Sequence, residues 1–473
     1  MSTTAPTRPA RLPDSSNGAA SGRRRLVALG LLASAQFVVM LDTSIVNVAL
    51  PSIQADLRLS STGLTWVVNA YVLTFGGLLL LFGRVADLLG RRRMFVGGAA
   101  AFSVGTLLAA FASTQELLVA GRVVQGAGAA ALSPAAMALL LLASPGPARA
   151  RAMSLWGAAS ALGGATGVLS GGLLAGYLGW SSVFFVTVPV SIAAVLLARR
   201  VLDEDVRGPR RRLDGRGALT ITGAVLALVH TALAAGEGHP TSTTVLVGLG
   251  LSATLLALFV AAERGAADPL VPLALFRSRA LSTGVGLAVL GGATRASSFV
   301  LVALYLQQGL AMEPQQAGLA MVPTSLTGFA FSLALLPRML RKLGPERSLV
   351  AGLVILAGGQ LWLAHVPGDG YAAGVLPALF LIAVGVALSF TPTTMVIASA
   401  APAAHTGLAS GLAGSATQVG SALGTATFTA IGVAVAGAGA DALDTSGFSA
   451  AFTAAAVVAL ATATLGSTLV RRR

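Results

Sequence analysis

The chain contains no cysteine in 473 residues, which excludes disulfides, thiolate metal sites and a cysteine nucleophile and leaves the redox compartment unread. Charge is nearly as scarce. Asp, Glu, Lys and Arg make up 10% of residues, against about 25% in an average soluble protein. Lysine occurs once, at Lys342, without the glycine run of a phosphate-binding loop, so no P-loop nucleotide site is available as an energy source. The four histidines, His230, His239, His365 and His405, are scattered rather than spaced as metal ligands. With no paired nucleophile and base and no metal cluster, the residues give an enzyme nothing to work with.

What is present is apolar surface: 55% of residues are hydrophobic and the mean hydropathy is +0.82. Such a chain reads as an all-α polytopic membrane protein, because helices satisfy their own backbone in lipid. Fourteen apolar runs long enough to span fall between Leu26 and Val470. Residues 1–25 are too polar for a signal peptide and read as a disordered cytoplasmic tail.

Basic residues test the number of spans independently. Alternating the loops between two sides puts 28 of the 31 Lys and Arg on one side and only Arg58 on the other, with Arg122 and Arg295 left inside spans. A bias of that size predicts that both termini are cytoplasmic, and an error of one span would scramble it. The net charge of +14 is therefore read as topology, with the bilayer of the cell membrane as partner and no nucleic acid.

The longest basic linker, residues 199–216, separates a first six-helix bundle (26–198) from an inserted helical pair (217–262) and a second six-helix bundle (263–473). A faint repeat relates the bundles: GRVADLLGRRRMF from Gly83 has a counterpart in PRMLRKLGPER from Pro337. Paired bundles with a site between them are the build of rocking secondary transporters.

Asp42 sits in the first apolar run, roughly 25 Å from Arg25 at about 1.5 Å per residue. A carboxylate there needs a proton or a partner. Arg122, entering from the opposite surface after Glu116, reaches a matching depth and is the candidate partner. Arg295 places a second charge at a similar depth in the other bundle. The functional reading is that it lines a central cavity and selects substrates, favouring anions and zwitterions; a purely structural cation is the alternative.

Four stretches carry a family resemblance. LDTSIVNVALP (Leu41 to Pro51), GRVADLLGRRR (Gly83 to Arg93), RVVQGAGAA (Arg122 to Ala130) and the glycine series Gly163, Gly167, Gly171 and Gly172 together resemble the fourteen-helix drug:proton antiporters of the major facilitator superfamily. The last departs from the family pattern, with Val168 where a proline is usual and Ser154 where a glycine is usual. The resemblance implies two six-helix bundles plus an inserted pair, and export of amphipathic small molecules in exchange for protons by alternating access. It implies no cofactor beyond the proton gradient. The expected form is a monomer with a small-molecule substrate. Within it Asp42 and Arg122 couple protons. Gly83, Asp87, Gly90 and Arg91 form a conformational latch, with Asp87 in a tight turn that Gly83 and Gly90 allow. The helix 5 glycines make a tight packing seam.

Arg295, Asn47, Gln125, Tyr305 and Gln308 are the candidate cavity residues, mixed with Trp66, Trp156, Phe299 and Phe390. The run from Tyr305 to Gly318 also resembles a family signature, its end reading as a loop. A symporter or facilitator for one metabolite, or a non-transporting membrane sensor on the same fold, are the alternatives.

Overall fold

A computed structural model describes residues 15–146, 148–202, 214–236, 242–266, 268–366, 370–402, 405–436 and 444–470. Most of the expected tail, the middle of the 199–216 linker, His239 and the last three arginines lie outside them. The described residues contain fourteen helices long and apolar enough to span a membrane. They are α1 (Arg23–Leu57), α2 (Gly63–Leu89), α3 (Arg91–Ala110), α4 (Gln115–Leu142), α5 (Ala148–Leu178), α6 (Ser182–Val201), α7 (Gly215–Ala235), α8 (Thr243–Gly265), α9 (Arg279–Gly309), α10 (Gln315–Ala334), α11 (Leu336–Ala364), α12 (Tyr371–Ala400), α13 (Thr406–Ala436) and α14 (Thr445–Val470).

Helix ends follow local chemistry. Ser60, Thr114 and Ser242 each accept a hydrogen bond from the backbone amide three residues on, capping α2, α4 and α8. Gly90, at φ 108°, is the single residue between α2 and α3, and Gly344, at φ 79°, breaks α11 at the matching place in the second bundle. Those dihedrals favour glycine, which explains why the repeat keeps it at both positions. Three boundaries differ from the sequence reading. Within the expected disordered tail of residues 1–25 the chain is already helical from Ser15, continuous with α1. The segment after Met312, expected to be loop, is already helical from Pro314: proline suits the first helical position, and Gln316 Oε1 accepts from the Glu313 amide at 3.3 Å. Helix α1 runs on through Pro51 to Leu57, its far end held by the Trp180 indole donating to Asp56 at 2.7 Å.

Helices α1 to α6 pack on one another, as do α9 to α14, and two seams join the groups: α2 against α13 and α5 against α10. Helix α7 packs along α2 and α13 together, so the inserted pair lies over one seam. Helix α8 covers it and turns leucines and valines such as Leu246, Val247 and Leu258 outward, as a lipid-facing helix does.

Glycine sets how closely these helices approach. A side-chain carbon at Gly163 would come within 2.4 Å of the Phe37 carbonyl, at Gly167 within 2.6 Å of Ser44 Cβ, and at Gly171 within 3.0 Å of the Ile45 carbonyl. Helix α5 therefore lies directly on the stretch of α1 that carries Asp42. Gly172 is looser, 3.9 Å from Val48. Replacing Gly167 by Val is expected to force α1 and α5 apart at a cost of about 1–3 kcal/mol. The check is the thermal unfolding midpoint of the purified variant in detergent, with Gly172→Ala, where there is room, remaining near wild type.

Candidate functional site

Between the two groups of helices lies a cavity of about 1030 Å³. Its mouth, flanked by Ser52 of α1 and by Gln307, Glu313 and Gln315, is at the end away from the arginine-rich loops; its floor is Leu79, Ser410 and Gly414, where α2 meets α13. The first bundle's wall sets Met40, Met137, Trp156 and Val168 beside Gln36, Ser44, Asn47 and Ser133. Arg295, Thr324, Ser332 and Thr391 make the second bundle's wall polar.

Asp42 is fully buried and does not face this space. Met40, Ser44 and Asn47 line the cavity, and at about 100° per residue Asp42 falls on the opposite side of α1. There its Oδ2 accepts from Arg122 Nη1 at 2.7 Å and its Oδ1 from Gln125 Nε2 at 2.6 Å. Gln125 Oε1 accepts from the same Arg122 nitrogen at 2.7 Å, and Gln125 Nε2 also donates to Thr106 at 2.9 Å. Arg122 further donates to the Val67 carbonyl at 3.1 Å and lies 4.3 Å over the Tyr71 ring. Such a network meets the demand of a buried ion pair, which is tolerable only when the remaining lone pairs and protons find partners. Gly105 makes it possible, since a side-chain carbon there would strike the backbone nitrogen of Gln125 at 2.4 Å.

At the arginine-rich end the two bundles are closed onto each other. Asp87 Oδ1 and Oδ2 accept the first free amides of α13, Gly407 N at 2.9 Å and Leu408 N at 2.7 Å, while Arg91 pairs with Oδ1 at 2.7 Å. An anion at a helix N-terminus satisfies otherwise orphan donors and meets the positive end of the dipole. Side-chain carbons at Gly83 and Gly411 would lie 2.6 Å from the Gly407 carbonyl and 2.5 Å from the Leu79 carbonyl, so the seam is backbone against backbone. One turn earlier Arg84 donates to the Pro269 carbonyl at 3.1 Å and meets His405 Nδ1 at 3.1 Å. Pro269 belongs to the segment after α8, which Glu263 holds by accepting from the Leu270 and Val271 amides, each at 3.1 Å.

The sequence profile of the Major Facilitator Superfamily matches residues 32–425. The chain belongs to the major facilitator superfamily. Over 404 residues it is 38% identical to the cephamycin export protein CmcT of Amycolatopsis lactamdurans, covering 83% of this chain and 82% of that one. It is 38% identical over 409 residues to the puromycin resistance protein pur8 of Streptomyces alboniger, covering 84% and 80%. The crystal structure of the human organic anion transporter MFSD10 superposes with a TM-score of 0.68 at 16% identity, covering 94% of this chain and 99% of that one, a likeness of fold alone. Membership makes this a multi-pass membrane transporter and not an enzyme.

Several expectations for a major facilitator chain need correction at the level of side chains. Gln125 is buried in the Asp42 network and is absent from the cavity wall; the i to i+3 spacing from Arg122 was the signal for that. Tyr305 turns into the second bundle against Phe448, with ring centroids 5.2 Å apart, and Gln308 is exposed off the wall, whereas its neighbour Gln307 lines it. Trp66 stacks on His230 of α7 instead of facing the cavity. Asp87 lies in the last turn of α2 and not in a loop, and only Gly90 reverses the chain; Gly83 is helical and serves close approach. Arg84 entered the sequence reading as a topology charge, yet it is buried and ties α2 to the inserted pair. Nothing in the order of residues distinguished it from its basic neighbours.

Asp87→Asn takes the charge out of these contacts, worth about 2 kcal/mol, or roughly thirtyfold in the balance between closed and open ends. Because the chain has no cysteine, Ser410→Cys gives a clean single label at the cavity floor. Maleimide labelling from the arginine-rich side is expected to accelerate when Asp87→Asn is added; an unchanged rate would show that the latch does not hold this end.

Proposed function

We propose that the chain exports amphipathic small molecules in exchange for protons by alternating access, with both termini in the cytoplasm. The observation that carries the reading is the sealed Asp42–Arg122–Gln125 network beside a cavity of about 1030 Å³, a volume at the upper end of drug-sized sites. The relatives' names supply the direction and the cargo: cephamycin is exported, and puromycin resisted, by chains that share over a third of their residues with this one. In this orientation the arrangement is outward-facing, with the Asp87 latch closing the cytoplasmic end.

Coupling then runs through helix α1. Asp42 and the cavity lie on opposite faces of α1, so drug and proton do not compete for the same atoms. Protonating Asp42 discharges one half of its pair with Arg122. The buried guanidinium then loses its counter-charge, and the local packing of α1 has to readjust. The glycine seam passes that change to α5, which borders the cavity and packs on α10 across the second seam. A drug in the cavity presses on the other face of the same helix, and each ligand shifts the equilibrium by its differential affinity for the two states.

Asp42→Asn is expected to abolish uptake into everted vesicles driven by a pH gradient while changing the binding constant of a transported drug by no more than about threefold, or 0.6 kcal/mol. Wild-type pH-driven transport by that variant would remove Asp42 from the mechanism. Loss of binding would mean direct competition.

Among the described residues Asp42 is the one carboxylate deep inside a span, so one proton is expected per cycle. For a monovalent cationic drug that exchange is electroneutral, and the membrane potential, about 2.3 kcal/mol per charge per 100 mV, drops out. Efflux from proteoliposomes with potential and pH clamped separately is expected to follow pH alone for a monocation and both gradients for a neutral drug.

A further inference from the structure

Among the described residues Arg295 is a buried charge without an assigned partner. It is 5% exposed, and neither Nη1 nor Nη2 has a hydrogen-bond or ion-pair partner among the described residues. The guanidinium folds back along its own helix over Gly291, where a side-chain carbon would come within 2.5 Å of Nη1. From there it borders the cavity, its Cζ 5.8 Å from the centroid of Phe390. That ring is the closest thing it has to a counter-charge.

Two further polar atoms on the same wall are in the same condition. Thr324 Oγ1 of α10 and Thr391 Oγ1 of α12 are buried without partners, and both residues line the cavity. The Thr391 hydroxyl occupies room that Gly157 of α5 leaves open, with Ser332 Oγ beside it. Charge on the lining residues is confined to Arg295 and Glu313, and Glu313 is exposed at the mouth, two residues before α10. The first bundle lines the cavity with Met40, Met137, Trp156 and Val168 together with uncharged polar side chains such as Gln36 and Asn47.

A buried cation costs far more than a buried hydroxyl unless something pairs it, and a chain that keeps one beside an open cavity leaves the pairing to whatever enters. The fork of an arginine matches a carboxylate or sulfonate, and the unpartnered Thr324 and Thr391 hydroxyls on the cavity lining can donate as well. We infer that the second-bundle wall of this cavity is an anion subsite, built on Arg295, Thr324 and Thr391, and that the preferred substrates are amphiphilic monoanions whose apolar body lies against Trp156 and the methionines. This deepens the exporter reading and rests on it. Asp42 has no part in it, because its charge is already paired on the far side of α1.

The test is a binding measurement on the full chain in lipid nanodiscs, with pyrenebutyrate and its methyl ester as a matched pair. Binding is read from tryptophan fluorescence against empty nanodiscs, and Trp156→Phe identifies the cavity signal. The acid is expected to bind about tenfold more tightly than the ester. Arg295→Gln should bring the two within about twofold, and its ligand-free melting temperature should rise, because an unpaired buried charge has been removed. Thr391→Val keeps shape and charge, so it remains informative if the glutamine variant does not fold; it should weaken the acid and leave the ester unchanged. Equal binding of acid and ester by the wild type, an acid preference that survives Arg295→Gln, or equal losses for both probes in Thr391→Val would each overturn the subsite. Failure of the exporter reading looks different: the acid preference persists while no pH-driven transport of any probe is seen.

Discussion

A carboxylate cannot be held in the middle of a membrane protein without a proton or a counter-charge, and the Asp42–Arg122 pair is the constraint from which the first bundle follows. Pairing Asp42 of α1 with Arg122 of α4 requires α1, α2, α3 and α4 to converge at one depth. Val67 and Thr106 each supply one contact to that point, and Gln125 bonds to Asp42, Arg122 and Thr106 at once. The small residues then become necessary. Gly105 lets α3 reach Gln125, and the Gly163, Gly167, Gly171 series lets α5 lie against the face of α1 that the pair does not use. The network is complete, so it is stiff, and a change of one proton within it has to be absorbed by the helices that carry it.

The two bundles treat charge differently. In the first, the buried carboxylate and guanidinium satisfy each other away from the cavity; in the second, the guanidinium of Arg295 is left to the cavity. The glycine turn after α2 and the glycine break within α11 show the same asymmetry. Both turn on a glycine with positive φ, but three residues before it the first bundle has Asp87 and the second has Arg341. Only the first can accept backbone amides at a helix N-terminus, so α2 locks to α13 while the α5 to α10 seam stays looser, its nearest glycine approaches being 3.3 Å from Gly318 to Val168 and 3.5 Å from Gly328 to Ala161.

The inserted pair has a mechanical place in this scheme. Helix α7 spans α2 and α13 across the latched seam, and the segment after α8 is fixed on one side by Glu263 and on the other by Arg84. His405, just before the amides that Asp87 holds, meets the same arginine. The pair is therefore joined to both halves of the closed end.

The order of residues was sufficient for the membrane class, the fourteen spans and the partnership of Asp42 with Arg122, because each rests on a signal local in the chain: apolar length, or the rarity of charge in hydrocarbon. The glycine series of α5 was legible as a seam, but which stretch of α1 it grips was not. Orientation about a helix axis was the main thing hidden. Gln307 sits on a helix whose sequence gives no preference between interior and cavity, and Tyr305 differs from a cavity tyrosine only in which neighbour it meets. Arg84 and Arg91 look alike in a basic run, yet one ties the inserted pair to the gate and the other braces Asp87. Sequence determined which groups would need partners; the packing of distant helices decided which partners they found, leaving Asp42 fully paired and Arg295 facing the cavity without one, because a polar group in lipid is satisfied by what lies across from it and not by what precedes it in the chain.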